Sequence, residues 1–234
     1  MNRQRILVFA PHPDDEVLGC GGTIAKHMER DNTVYVTFLT NGEMSGSFNN
    51  PEQMAQIRKK EACGAAKILG VQLKNVTFFE FPDGQISPYN FEQFTQTLSH
   101  IRQIKPHLVY LPHEEEESFD HRCAFQLIWR ALKMAPSSNY PLYGKPWWVS
   151  TVLAYEVWTP LASYQYGEAI GNQLKKKIRA LRSYQSQSFG AKKMSKYIER
   201  GEYLAGYRAA MSIGDYREVF QVLRVSALPC DEAK

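Results

Sequence analysis

The chain has 234 residues, of which 44% are apolar and 22% charged, a composition that suits a globular protein and excludes wholesale disorder. At this length roughly 70% of the unfolded surface can be buried without help from disulfides or a structural metal, and the longest apolar runs, such as Ile6 to Ala10, are far short of the roughly 20 residues that cross a bilayer. The net charge is +4, concentrated between Gly171 and Arg208, where ten Lys/Arg stand against two acids.

In chain order, Arg5–Ala10 and Thr33–Thr40 are short, rich in β-branched and aromatic residues and bounded by turn residues, so they read as buried strands. Leu18–Arg30 between them is helical in character, weakened by Gly19, Gly21 and Gly22. Pro51 opens a helix that runs to Leu69 and ends at Gly70. Val76–Phe81 is a third strand, stopped by Pro82-Asp83-Gly84. Phe91–Ile104 carries Phe91, Phe94, Leu98 and Ile101 at helical spacing. Leu108–Leu111 is a short strand and His121–Met134 a helix. Such alternation predicts a Rossmann-like α/β fold, a mostly parallel sheet with helices on both faces. Beyond Ala135 the pattern changes: residues 136–146 read as loop, Trp148–Val157 as a strand, Asn172–Ser186 as a basic helix, and the remainder as mixed. No linker or repeat divides the chain, which predicts one domain over 1–234, with a core of about 1–135 and a C-terminal elaboration of about 136–234.

Cys20, Cys63, Cys123 and Cys230 form no CxxC pair and read as free thiols of a reducing compartment. No run is long enough for a membrane span or a secretory leader, so the expected location is cytoplasmic. The basic segment reads as a solvated helical face rather than a nucleic-acid or lipid surface.

In parallel α/β sheets, ligands bind beyond the carboxyl ends of the strands, and the polar clusters of this sequence fall there. His12-Pro13-Asp14-Asp15-Glu16 follows the first strand, and Pro112-His113-Glu114 through His121 follows the fourth. Two adjacent strand ends would pool His12, Asp15 and His121, a two-histidine, one-carboxylate set suited to catalytic Zn2+, with Fe2+ also compatible. Asp14, beside a ligand but directed elsewhere, is the candidate general base. The alternative is that Asp14, Asp15 and Glu16 only cap the next helix.

His12-Pro13-Asp14-Asp15-Glu16 with Gly19-Cys20-Gly21-Gly22-Thr23 closely resembles the signature of the LmbE-like, or PIG-L, N-acetylglucosaminyl deacetylases. The resemblance continues through Arg58-Lys59-Lys60-Glu61-Ala62, Leu69-Gly70-Val71, Pro82-Asp83-Gly84, Asp120-His121-Arg122, Tyr155 to Pro160, and Lys176 to Gln187. It implies a zinc hydrolase that removes the N-acetyl group of an amino sugar or glycoconjugate. His12, Asp15 and His121 would be metal ligands, Asp14 the catalytic base, and Arg58 and Asp83 substrate contacts. Asp120 would orient a ligand histidine. One departure stands out: the family usually has His-Pro-Asp-His where this chain has Ser118-Phe119-Asp120-His121. Serine cannot act as an imidazolium, so the proton donor stays open, with Ser118 and His113 both in question.

The run Glu114–Glu117 reads as a solvated loop at the rim of the site, since four successive carboxylates cannot converge on one ion. Gly19 to Gly22 do not complete a dinucleotide-binding GxGxxG. Tyr155, Glu156 and Trp158 suit either a sugar cleft or ordinary strand packing. A small amino-sugar substrate is the expected partner; nucleic acid is not expected, and a homo-oligomer stays open. A related amidase on another N-acyl or thiol-sugar conjugate, or a weakly active glycan- or nucleic-acid-binding homologue, are the alternatives.

Overall fold

The computed structural model describes residues 3–45, 50–187, 191–211 and 214–225, with the backbone alone for 191–195. Its elements are β1 (Arg5–Ala10), α1 (Asp15–Glu29), β2 (Thr33–Thr40), α2 (Pro51–Leu69), β3 (Val76–Phe81), α3 (Phe91–Ile104), β4 (Leu108–Pro112), α4 (Phe119–Met134), β5 (Thr151–Tyr155), β6 (Tyr166–Ala169), α5 (Gly171–Leu181), α6 (Ala191–Ala210) and β7 (Arg217–Val225). One seven-stranded sheet takes the order β3-β2-β1-β4-β5-β7-β6. The first five strands are parallel, and β7 runs antiparallel to both β5 and β6. The expected Rossmann-like α/β fold is borne out.

Both faces of the central strands are buried, which is why they read as unbroken apolar runs rather than as an alternation. In β1, Ile6, Val8 and Ala10 join one core with α1, α2 and α5, while Leu7 and Phe9 join the other with α3 and α4. Helix α2 starts as its sequence dictates: Asn50 caps it by accepting from the Gln53 N–H, Pro51 occupies the first turn, and Gly70 ends it with φ 96°. The loop after α4 is organised from within. Arg102 of α3, almost fully buried, donates to the carbonyls of Met134, Ala135, Ser137, Asn139, Tyr140 and Gly144.

Several expected bounds need correction. Helix α1 begins at Asp15 rather than Leu18, and α4 at Phe119 rather than His121. The expected strand Trp148–Val157 shortens to Thr151–Tyr155; at its carboxyl end the Val157 amide is drawn off to a buried side chain. The basic helix stops at Leu181, and β6, α6 and β7 emerge from the stretch read as mixed. Nor is the basic segment only a solvated face. Lys177 is buried against Glu218 and Arg208 against Glu156. Cys20, Cys63 and Cys123 are free thiols; Cys230 lies outside the described residues. Among the described residues, no helix is long and apolar enough to cross a membrane.

Candidate active site

Strands β1 and β4 are neighbours, with β2 and β3 on one side and β5 on the other, so the chain order reverses between them. A crevice opens at such a switch point beyond the strand ends. The segment after β1 brings His12, Asp14 and Asp15 to it, and the start of α4 brings Asp120 and His121. The loops after β2 and β3 add Gly42 to Ser45 and Asp83.

His12 is held at both ring nitrogens. Its Nδ1 lies 3.3 Å from Asp15 Oδ2, and its Nε2 lies 3.1 Å from Asp83 Oδ1 and 3.2 Å from Asp120 Oδ2. The His12 backbone N–H also donates to Asp15 Oδ2. His121 is fully buried. Its Nε2 stands 3.1 Å from Asp15 Oδ2 without the alignment of a hydrogen bond, and the two imidazole centroids are 5.4 Å apart. One donor atom each from His12, Asp15 and His121 lies within 4.8 Å of the others, and the same holds for His12, Asp83 and Asp120. Asp15 Oδ1, Asp120 Oδ1 and both nitrogens of His121 are buried without a hydrogen-bond partner. Buried polar atoms are otherwise satisfied almost everywhere in proteins. Lone pairs converging from two imidazoles and a carboxylate suit a borderline divalent cation.

The charges follow from this crowding. Burial alone would lower the affinity of His12 for a proton, but hydrogen bonds accepted by Asp120, Asp15 and Asp83 hold it well above the ordinary value. Burial would raise Asp15, yet the charge of the adjacent His121 and the hydrogen bond to His12 keep it well below the usual carboxylate range. Asp83 is also lowered: burial opposes the shift, and the bond to His12 overcomes it.

Asp14 stands apart from this set. Its φ of 117° lies in the left-handed region, a strain of order 1–3 kcal/mol for a residue with a Cβ. Its carbonyl starts α1 by accepting from Val17 and Leu18, while its side chain makes no capping bond. The carboxyl points instead to Arg58, with Nη2 to Oδ2 at 3.1 Å. Burial pushes the Asp14 carboxyl up to about 6, the Arg58 charge pulling it down and Asp15 pushing it further up. The Tyr197 hydroxyl of α6 lies near enough to Asp14 to act on its charge, without a well-formed hydrogen bond. Arg58 is 3% exposed and donates to Ser45 Oγ and to the Pro13 carbonyl, so it forms a buried pair with Asp14 rather than a surface ion pair. Beneath them Glu16 accepts from Tyr184, and burial raises its carboxyl to about 8.

Asp120 accepts from the Gly84 N–H as well as facing His12. Ser118 occupies the position before α4 and makes no capping bond. His113 does not join the cluster. Its Nε2 donates to the Thr159 carbonyl at 2.8 Å, and its Nδ1 accepts from the Glu115 N–H. Tyr155 donates to the Phe9 carbonyl from a fully buried position, and Glu156 pairs with Arg208. Of that trio only Trp158 keeps surface, with Arg200 over its ring.

The glutamate run is not a solvated loop throughout. Glu114, Glu115 and Glu117 are exposed, but Glu116 is fully buried and accepts from the Val157, Trp158 and Thr159 amides. Four identical letters hide one inward residue, and only tertiary structure distinguishes it. No sequence signal marks Tyr197, whose stretch reads as mixed. Tyr184 lay inside a recognised motif with no role attached.

Open nitrogen and oxygen donors at the switch point of a parallel sheet are the arrangement of a metal-dependent α/β enzyme. The chain belongs to the PIG-L family: the family model described as GlcNAc-PI de-N-acetylase matches residues 7–132. The diacetylchitobiose deacetylase of Thermococcus kodakarensis is 30% identical over 196 residues, covering 79% of this chain and 70% of that protein. Among solved structures, the conserved protein TT1542 from Thermus thermophilus superposes with a TM-score of 0.82 at 31% identity, covering 97% of this chain and 96% of that one. The N,N'-diacetylchitobiose deacetylase of Pyrococcus horikoshii reaches a TM-score of 0.85 at 23% identity, covering 95% and 84%; at that identity the likeness speaks for the fold alone.

Proposed function

We propose that this protein is a metal-dependent N-deacetylase that hydrolyses the N-acetyl group of an N-acetylglucosamine-type sugar or glycoconjugate and releases acetate. One observation carries the reading: His12, Asp15 and His121 converge within 4.8 Å, with the buried Asp14–Arg58 pair alongside, in a chain of the PIG-L family. The three converging residues would hold the ion, Zn2+ by the softness of the donors, with Fe2+ also suited. When bound, such an ion polarises an acyl carbonyl and makes water more acidic.

The chain's own residues do the rest. Asp14 accepts the proton of the attacking water at its carboxylate, the water oxygen joins the acyl carbon, and the carbon–nitrogen bond breaks. A carboxyl raised toward neutrality by burial suits both directions of transfer. Asp14 can therefore hand the same proton to the departing nitrogen, leaving acetate and a free amine. This return route fits a chain with Ser118 at the usual histidine position and with both His113 nitrogens engaged elsewhere. Asp120 holds His12 by its Nε2 and so fixes the ring. Arg58 keeps Asp14 in place, and Asp83, half-buried at the mouth, is the candidate contact for sugar hydroxyls.

Acetate release from a panel of N-acetylglucosamine derivatives, by the zinc-loaded protein and by Asp14→Asn, tests the proposal. General-base catalysis is worth roughly 100- to 10,000-fold. Asp14→Asn should therefore keep its metal and lose about that factor in turnover. Undiminished turnover would remove Asp14 from the reaction, and release of no acetate across the panel would remove the deacetylase assignment.

A further inference from the structure

Glu116 is a fully buried carboxylate outside the set discussed so far. Three successive backbone amides close on it. Val157 N lies 2.6 Å from Oε1, Trp158 N 3.1 Å from Oε1 and 3.0 Å from Oε2, and Thr159 N 3.2 Å from Oε2. Consecutive amides arranged in this way form an anion-holding nest. Such a nest fixes the carboxylate's position independently of the histidines it faces. His113 Nε2 reaches Oε1 at 3.3 Å from one side. On the other side Oε2 faces His121 Nδ1 at 3.8 Å, a charge contact rather than a hydrogen bond. The loop backbone is tied in from outside as well, since Arg122 donates to the Glu116 and Glu117 carbonyls.

We propose that Glu116 is the positioning residue for His121. A carboxylate only accepts, so it selects the ring form with the proton on Nδ1 and leaves the Nε2 lone pair directed at Asp15 and the ion. Ligand histidines generally give their second N–H to such a group, and losing that group typically costs 10- to 100-fold in metal affinity. His113 cannot substitute, because its Nε2–H is committed to the Thr159 carbonyl. His12 has Asp83 and Asp120 in the equivalent role, so each of the two imidazoles has its own carboxylate. The inference rests on the metal reading given above.

Two measurements test it, with zinc alone as the probe. Competition against a chromogenic chelator should show Glu116→Gln, with wild-type circular dichroism, binding zinc 10- to 100-fold more weakly than the parent. Proton–nitrogen spectra of histidine-labelled, zinc-loaded wild type should show His121 bound through Nε2, with a slowly exchanging Nδ1–H. Glu116→Gln within twofold of wild-type affinity, or zinc on Nδ1 of His121 in the wild type, would overturn the role. The wild-type spectrum decides even if every Glu116 variant fails to fold. A wild type that binds no zinc would overturn the ligand set and this role together, whereas zinc binding unaffected by Glu116→Gln would overturn this role alone.

Discussion

Asp14 combines three costs that a purely structural residue would avoid. Its backbone is left-handed at φ 117°, its carboxyl is buried, and its neighbour Asp15 is also acidic. Arg58 offsets part of this, and its guanidinium is itself buried and bonded to Ser45 and Pro13. The pairing sets a testable pH dependence. Burial raises the Asp14 carboxyl to about 6 and Arg58 pulls it down. Removing the guanidinium therefore raises it further, and with Asp14 in the proposed role of base, the form that role requires is lost at a higher pH. Arg58→Ala should move the acid limb of kcat/KM upward by about one pH unit, so that activity suffers more at pH 6 than at pH 8. An acid limb that stays in place or moves downward would show that Arg58 does not tune Asp14.

Helix α1 shows how the glycine-rich stretch serves the site. The helix is interrupted at Cys20, with φ −146° and ψ 26°, and the backbone groups beside the interruption take partners from outside the helix. Lys177 Nζ takes the Leu18 carbonyl at 2.8 Å. Glu218 accepts the Gly22 and Thr23 amides, and Lys177 and Glu218 pair with each other. A Cβ on Gly19 would come within 2.2 Å of the Tyr155 ring, so the lack of a side chain is what lets α1 lie against β5 and deliver Asp14 and Asp15 to the crevice. Breaking a buried pair by removing one partner costs about 3–5 kcal/mol. Lys177→Met should therefore lower unfolding stability by that amount in chemical denaturation. A loss below about 1 kcal/mol would mean that the interrupted helix satisfies its groups without the pair.

Elements differed in how plainly the sequence announced them. The bounds of β1, β2, α2, β3 and α3 agree with the expectations: burial on both faces writes β1 and β2 as largely apolar runs, Pro82-Asp83-Gly84 stops β3, Asn50-Pro51 and Gly70 mark α2 chemically, and Phe91, Phe94, Leu98 and Ile101 mark α3 by their spacing. Strand β7 is different: it mixes Glu218, Gln221 and Arg224 with apolar residues, and its glutamate is spent on α1 rather than on solvent. Helix α6 carries Gly201 and Gly206, which blur its periodicity. Only the tertiary fold explains Gly201, which packs against Leu181.

For the whole molecule, the decisive fact is the convergence of strand ends. Loops after β1, β2, β3 and β5, with the β4–α4 segment, contribute to the site or its supports, and the order β3-β2-β1-β4-β5 places β1 and β4 at its centre. That adjacency was anticipated from the two histidine-bearing segments, and His12, Asp15 and His121 meet there. Of the supports, Asp120 beside His12 was legible, and the others were not. Glu116, Tyr184 and Tyr197 come from a uniform acidic run, a short turn and a helix without clear period, and each acquires meaning only by long-range contact.

The central claim is that one divalent ion is held by His12, Asp15 and His121. Equilibrium dialysis against zinc, with metal analysis of the wild type and of His12→Ala, Asp15→Ala and His121→Ala, measures it directly. The account predicts about one tightly held zinc per wild-type chain, in keeping with a single three-residue site, and near-complete loss in each folded variant. A folded His121→Ala protein that still carries a full equivalent of zinc would contradict it.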